Sequence, residues 1–318
     1  MHNRNQIINQ EKREAGEDPK SVSVTWAAML LLALCLPLTQ AAQAAQPGNT
    51  DTLEKIRRSR VVVVGHRTAS IPFSYLPGTI ARPIGYSITI CEHIVDAVKA
   101  KLRMPHLRTQ YYPVQPENRM ALLANRLIDI ECGSTTDTPA RRKEVDFSTT
   151  TFVAATRVAV AKGGPLRSFR DLGGHRVAVT RGTTSEQVLE QFAHDQKLNI
   201  ALLRNRDHDA SYAAFRQGKA DAVAMDDILL IGLMTEADDQ KRVEFIEGTL
   251  SSEPYGIMIR KNDPEFKAIV DKTINDMIDQ STMAKLYQQW FRSPIPPKRI
   301  NLSLPFTTEM ARVLKLVP

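Results

Sequence analysis

The chain has 318 residues, 42% of them hydrophobic and 24% charged, with a formal charge of +7 and a pI near 9.3. That length suffices for two modest lobes with separate cores, and the ordinary composition excludes a fibrous or disordered chain. The basic residues are scattered rather than gathered into runs interleaved with aromatics, so the charge points toward small anions and away from nucleic acid.

Residues 27–38 (AAMLLLALCLPL) form an apolar run too short to span a bilayer but suited to the core of a signal peptide. Lys12, Arg13 and Lys20 precede it, and Ala42-Gln43-Ala44 offers small residues for cleavage. Cys35 follows Leu34, where a lipoprotein signal wants a small residue, so no lipid anchor is expected. The mature protein is expected to be exported, cleaved near Ala44 and periplasmic. Residues 1–45 hold four basic and four acidic residues, so the +7 stays with the mature chain. Cys91 and Cys132 remain after cleavage, without metal-like spacing. They could pair in an oxidising compartment, but spacing does not say whether their geometry permits it.

From residue 60 the pattern alternates. Residues 60–65 (RVVVVG) read as a buried strand, 87–102 as a helix with Ile90, Ile94, Val95, Val98 and Leu102 on one face, 108–113 as a strand, 118–125 as a helix and 127–132 as a strand. The pattern then restarts, with an extended segment at 152–161, a new unit opening at 168–172, and strands at 175–180, 200–203 and 220–225. Helices are expected at 185–196 and 210–217, the latter stopped by Gly218. A strand at 255–260 and a long helix at 264–291, ended by Pro294, Pro296 and Pro297, complete the chain. Such alternation predicts α/β units around largely parallel sheets. It also suggests a signal peptide at 1–45, a first lobe at 46–153, a second at 154–250, and completion of the first lobe by 251–318. Two strands would cross between lobes near 150 and 250, and ligands bind between lobes hinged in that way.

Three strand ends carry candidate binding groups. After the strand at 127–132 come Ser134, Thr135 and Thr136, at the carboxyl end where open α/β sheets bind ligands. Thr138-Pro139 suits a helix cap and first helical position, which places Arg141 in the first turn beside free amides, a set that suits a carboxylate. The same pattern also serves an ordinary capped turn. TRGTTS at 180–185 repeats the construction, and Thr183 with Glu186 fits a capping box. Asp226 and Asp227 follow a third strand, where a carboxylate could hold an ammonium group or cap the next helix. Arg67, Arg119 and His208 lie at further strand ends or helix starts and, taken singly, read as solvated residues. HExxH, P-loop, GxGxxG and GxSxG patterns are missing from the sequence, and no cofactor or metal is expected.

With GHRTASIPFSY (65–75), ECGSTT (131–136), RGTTSE (181–186), DHDAS (207–211), MDD (225–227), EPYG (253–256) and WFRSPIPPK (290–298) in collinear order, the chain resembles the family 3 periplasmic solute-binding proteins of polar amino-acid ABC transporters, and most of all their glutamate/aspartate-binding members. The resemblance spans residues 52–312. It implies a two-lobe, type II Venus-flytrap fold that binds L-glutamate or L-aspartate as a monomer, without catalysis, and delivers it to the membrane permease of an ABC importer. Carried over residue by residue, Arg141 would hold the α-carboxylate with help from Thr136 and Thr184. Asp226 would hold the ammonium, and Arg67, Arg119, Ser134 and His208 would surround the side-chain carboxylate. Two positions depart from the pattern. Pro116 stands where the relative has a pocket serine, and Ile257 stands where it has a second cysteine, so the relative's disulfide is not expected. Alternatives are another polar amino acid such as glutamine, an exported dehydratase of a cyclic acid with His208 or Glu131 as acid or base, or a signalling receptor that would need a partner.

Overall fold

The computed structural model describes residues 51–78 and 82–316; the expected signal peptide lies outside them. The first element, helix α1 (Thr52–Ser59), has no counterpart among the expected elements. It is short, but Leu53 and Ile56 are buried and Asp51 caps it by accepting from the Glu54 amide. Asp263, far along the chain, accepts from both the Thr52 amide and the Thr52 hydroxyl. Tertiary contact, not propensity, therefore decides this helix.

Strand β1 (Val61–His66), the two-residue strands β2 (Ala69–Ser70) and β3 (Ser74–Tyr75), helix α2 (Tyr86–Leu102), β4 (Arg108–Pro113), helix α3 (Arg119–Ala124) and β5 (Ile130–Cys132) follow. The strand expected at 127–132 begins three residues late. Arg126 takes a left-handed φ of 63°, and the Leu127 and Ile128 amides fold back to the Leu122 carbonyl. Leu127 is left 53% exposed. Strand β6 (Val145–Phe147) completes a five-stranded sheet of order β4-β1-β5, then β13 (Met258–Arg260) and β6. Its first three strands are parallel, while β13 runs antiparallel to both β5 and β6.

The second sheet is built from β7 (Phe152–Ala161), β8 (Arg176–Thr180), β9 (Ala201–Asn205), β10 (Ala222–Asp226), β11 (Val243–Phe245) and β12 (Ser251–Tyr255). Helices α4 (Thr184–Asp195), α5 (His208–Arg216) and α6 (Asp227–Glu236) connect its strands. Here β8, β9 and β10 are parallel, and β7 is antiparallel to β10, β11 and β12. Each sheet is therefore mixed and not largely parallel as expected: its parallel strands lie on one side, and the other side is antiparallel and includes the strands between which the chain changes sheet.

The strand expected at 255–260 is in fact two, because Gly256 and Ile257 carry the chain from β12 in one sheet to β13 in the other. A second passage, residues 148–151, links β6 to β7. The two passages pair side by side: the Ser148 amide donates to the Ile257 carbonyl at 2.9 Å and the Thr151 amide to the Tyr255 carbonyl at 2.8 Å. Aromatic rings gather at this junction, with Phe152 lying 4.9 Å from both Phe73 and Phe291 between ring centres. The long helix expected at 264–291 is α7 (Pro264–Asp279) and α8 (Thr282–Phe291), broken where Ser281 adopts a φ of 60°. A last helix, α9 (Thr308–Val313), closes over the junction with Met310 buried.

Cys91 on α2 and Cys132 at the end of β5 form a disulfide, which decides the pairing that spacing left open. Ile257 is fully buried. Closing a loop of sequence separation 41 restricts the unfolded chain, so Cys91→Ser/Cys132→Ser should cost ~3–4 kcal/mol. Urea denaturation of oxidised wild type against the double variant measures this; equal midpoints would show that the bond adds nothing.

Candidate functional site

The carboxyl ends of β1, β5, β8 and β10 converge with the starts of α3, α4 and α5 on one small cavity. Arg67, Arg119, Ser134 and Thr136 line it from the first sheet, and Thr184, His208 and Asp226 from the second. These seven are all candidate site residues of the sequence; Thr183 and Ser185, which also line it, belong to the candidate turn TRGTTS but have no individual role assigned there.

One end of the cavity is cationic. Arg67 follows β1, and its backbone amide is anchored to the Ser74 hydroxyl at 2.9 Å. Its guanidinium is buried, the residue being 1% exposed, and none of its three nitrogens has a hydrogen-bond partner among the described residues. Arg119 opens α3 and donates through one terminal nitrogen to Thr135, while its Nε is also unpartnered. Thr135 in turn donates to Glu131 at 2.7 Å, so a fully buried carboxylate on β5 stands behind the two arginines. Burial and the neighbouring Arg119 pull Arg67 down to about 9, and Glu131 opposes that shift; Arg67 stays charged at neutral pH. Burial likewise lowers Arg119. His208 begins α5, with its Nδ1 3.0 Å from the Thr180 hydroxyl. Burial, then the charges of Arg67 and Arg119, hold it well below the ordinary histidine range, so it is neutral. Ser134 adds an unpartnered buried hydroxyl. Buried polar atoms in native proteins are nearly always paired, so this many orphans in one place describe a site shaped for an anion. Gly133 is needed here, because a Cβ would lie 2.3 Å from the Glu131 carboxylate and 3.0 Å from Arg67 Cγ.

The other end is anionic. Asp226 ends β10 at the N-cap position of α6, yet its side chain caps nothing there. Instead it accepts from the Ser185 hydroxyl at 2.9 Å, the Thr156 hydroxyl at 3.3 Å and the Tyr255 hydroxyl. Burial and the nearby charge of Glu253 push it up to about 7. Glu253, on β12 and 2% exposed, was missed as a site residue. Period-two alternation puts it on the same face as Tyr255, but only the fold shows that this face is buried. It accepts from the hydroxyls of Thr136 and Thr184 at 2.6 Å each.

Arg141 stands beside this cavity and does not line it. It opens a single 3-10 turn, Arg141–Lys143, in place of the expected helix, and Thr138 accepts from its amide at 3.2 Å. Its guanidinium donates to the Thr136 carbonyl at 2.8 Å and reaches the Gly182 carbonyl of the second sheet at 3.4 Å. The capping box at α4 is altered too: Thr183 accepts from the Glu186 amide, but Glu186 accepts from Gly182 rather than Thr183. Gly182 has a φ of 76°, and a Cβ there would lie 2.9 Å from the Glu117 backbone. Among the described residues, no group of three His, Cys, Asp or Glu is placed to hold a metal ion.

A sequence model of the bacterial extracellular solute-binding proteins, family 3, matches residues 62–293. The glutamate/aspartate import solute-binding protein of Salmonella typhimurium is 41% identical over 91% of this chain and 95% of its own. The L-glutamate/L-aspartate-binding protein of Pseudomonas aeruginosa is 41% identical over 83% of this chain and 88% of its own. Among solved structures, an ancestral amino acid-binding protein, a precursor of cyclohexadienyl dehydratase, superposes with a TM-score of 0.66 at 26% identity, covering 76% of this chain and all of the other.

A carboxyl raised in the folded state contributes stability below its unfolded pKa and loses it as pH rises through the folded value, here about 7. Asp226→Asn, which carries no charge, should therefore gain on wild type by roughly 1–3 kcal/mol between about pH 4 and about pH 8. Urea denaturation of the ligand-free proteins at both pH values reads this; a constant difference would mean that Asp226 ionises without penalty.

Proposed function

Since the chain belongs to the bacterial extracellular solute-binding proteins, family 3, we propose that it captures one free acidic amino acid, L-glutamate or L-aspartate, in the periplasm and delivers it to the membrane permease of an ABC importer. Its two sheets, joined by two paired passages, have the type II binding-protein arrangement. The observation that carries the ligand class is the unpartnered Arg67 guanidinium beside Arg119, in the same cavity as Asp226. Two cations at one end and a carboxylate at the other fit a molecule with an extra carboxylate and one ammonium.

In this reading Arg67, Arg119, Ser134 and neutral His208 take the side-chain carboxylate, Arg141 takes the α-carboxylate, and Asp226 takes the ammonium. Lysine or arginine as ligand would bring a third cation to the arginine end, and glutamine would leave Arg67 without an anion. The lobes are 46–153 with 251–318, and 154–250. A ligand touching both stabilises the closed form only through contacts that the open form lacks, which Asp226 and Arg67 provide from opposite sides. Pro116, next to the Glu117 backbone that faces Gly182, supplies no hydroxyl and tunes the choice between glutamate and aspartate. We assign no catalytic step: one oxygen of Glu131 accepts from Thr135, and neutral His208 is beside the Thr180 hydroxyl. The mature protein acts as a monomer.

Isothermal titration of ligand-stripped mature protein should give micromolar or tighter binding of L-glutamate and L-aspartate, much weaker L-glutamine, and no L-arginine. Arg67→Ala should weaken L-glutamate by about 1.5–3 kcal/mol, roughly ten- to 150-fold, as expected for hydrogen bonds to a charged group. Binding of none of the four amino acids would overturn the reading.

A further inference from the structure

Thr136 follows β5 of the first sheet and Thr184 begins α4 of the second, yet their hydroxyls meet on a single atom. Each donates at 2.6 Å to Oε2 of Glu253, and the two hydroxyl oxygens lie 3.3 Å apart. The other oxygen of Glu253 accepts from Ser251 and lies 3.3 Å from the Thr156 hydroxyl, whose single proton is shared with Asp226. A hydroxyl has one proton to donate and two lone pairs with which to accept, while an ionised carboxylate only accepts. With both threonine protons held by Glu253 in short, charge-assisted bonds, neither is left to donate toward the cavity. Ser185, the next hydroxyl along, likewise gives its proton to Asp226 at 2.9 Å. The side chains of Thr136, Thr184, Ser185 and Asp226 therefore present acceptors only. A carboxylate placed against it would face lone pairs, whereas an ammonium group, with three donors and no acceptor, finds a partner at every point.

We propose that Glu253 is a positioning residue of the ligand site: by taking the hydroxyl protons of Thr136 and Thr184 from both sheets, it makes these two threonines acceptors for the ligand's ammonium group, alongside Asp226. This rests on the binding reading above and refines it. The α-carboxylate then falls to Arg141 and to the backbone amides at the start of α4, which have no partner within the helix. Glu253 touches no ligand atom; it sets which way two hydroxyls point. The substrate class that follows is narrower than dicarboxylates in general, because the site requires the amine.

The test compares L-glutamate with glutarate, which lacks only the amine, by thermal shift and titration on mature wild type and Glu253→Gln; thermal shifts at high ligand concentration register even millimolar affinities. The carboxamide donates where the carboxylate accepted, so a threonine proton is turned back toward the cavity. The expected result is at least a tenfold loss of L-glutamate affinity in Glu253→Gln, with glutarate unchanged or tighter. Equal losses for both ligands would overturn the inference by making Glu253 merely structural. Tighter L-glutamate binding would overturn it by showing that the threonines donate to a carboxylate. Should Glu253→Gln fail to fold, Thr184→Val and Thr184→Ser carry the same comparison. The valine should lose at least tenfold toward L-glutamate but not glutarate, and the serine should restore it; equal losses on both ligands again count against the inference. Wild type that binds no L-glutamate would bring down the reading above and this one with it, whereas wild-type binding with equal losses brings down this inference alone.

Discussion

Arg67 and Arg119 bring two guanidinium groups into one space shut off from water, where like charges repel and each carries a desolvation cost. Much of the surrounding design answers that constraint. Glu131 stands behind the pair on a central strand and reaches Arg119 through the Thr135 hydroxyl. Gly133 is bare because its own β-carbon would collide with that carboxylate. His208, which would be a third cation if protonated, is held neutral first by burial and then by the same two arginines. The protein therefore leaves a concentrated positive field of its own making, and an incoming carboxylate lowers the energy of groups that are otherwise poorly served.

At the opposite end the problem has the reverse sign. Asp226 and Glu253 are both buried and near enough for the charge of Glu253 to raise Asp226. Hydroxyl groups, not cations, serve them: Thr136, Thr156, Thr184, Ser185, Ser251 and Tyr255 all donate there. Hydroxyl protons soften a negative charge without cancelling it, so the demand for a cation persists. The separation of the two demands across one cavity, with Arg141 between sheets, makes it suited to a zwitterion with an added acid group. Each demand comes from strand ends in a different sheet, so the field is completed only where the sheets meet.

Much of this was legible in the sequence. Strand and helix positions followed from apolar periodicity, and the strand ends at Ser134, Thr184 and Asp226 stood out because polar residues collect there after buried runs. What escaped was decided at long range. Helix α1 depends on Asp263, more than two hundred residues away. The strand at 255–260 read as one element because both halves are apolar, while its change of sheet depends on which neighbours Tyr255 and Met258 find. Arg141 was placed in a helix by its threonine and proline, but the segment closes after one 3-10 turn and its guanidinium turns to carbonyls of both sheets. Glu253 escaped for a different reason: nothing local separates a carboxylate on an exposed strand from one buried under hydroxyls of two sheets. The Cys91–Cys132 bond, also undetermined by spacing, needed the relative placement of α2 and β5.

Gly182 faces the Glu117 backbone with no side chain between them. Where two surfaces meet through side chains, rotamers can yield and the spacing has some give; here main chain lies against main chain, and φ, fixed at 76°, offers none. The spot behaves as a mechanical stop. It sets the closest approach of the two sheets at this point, so the gap does not tighten for a shorter molecule.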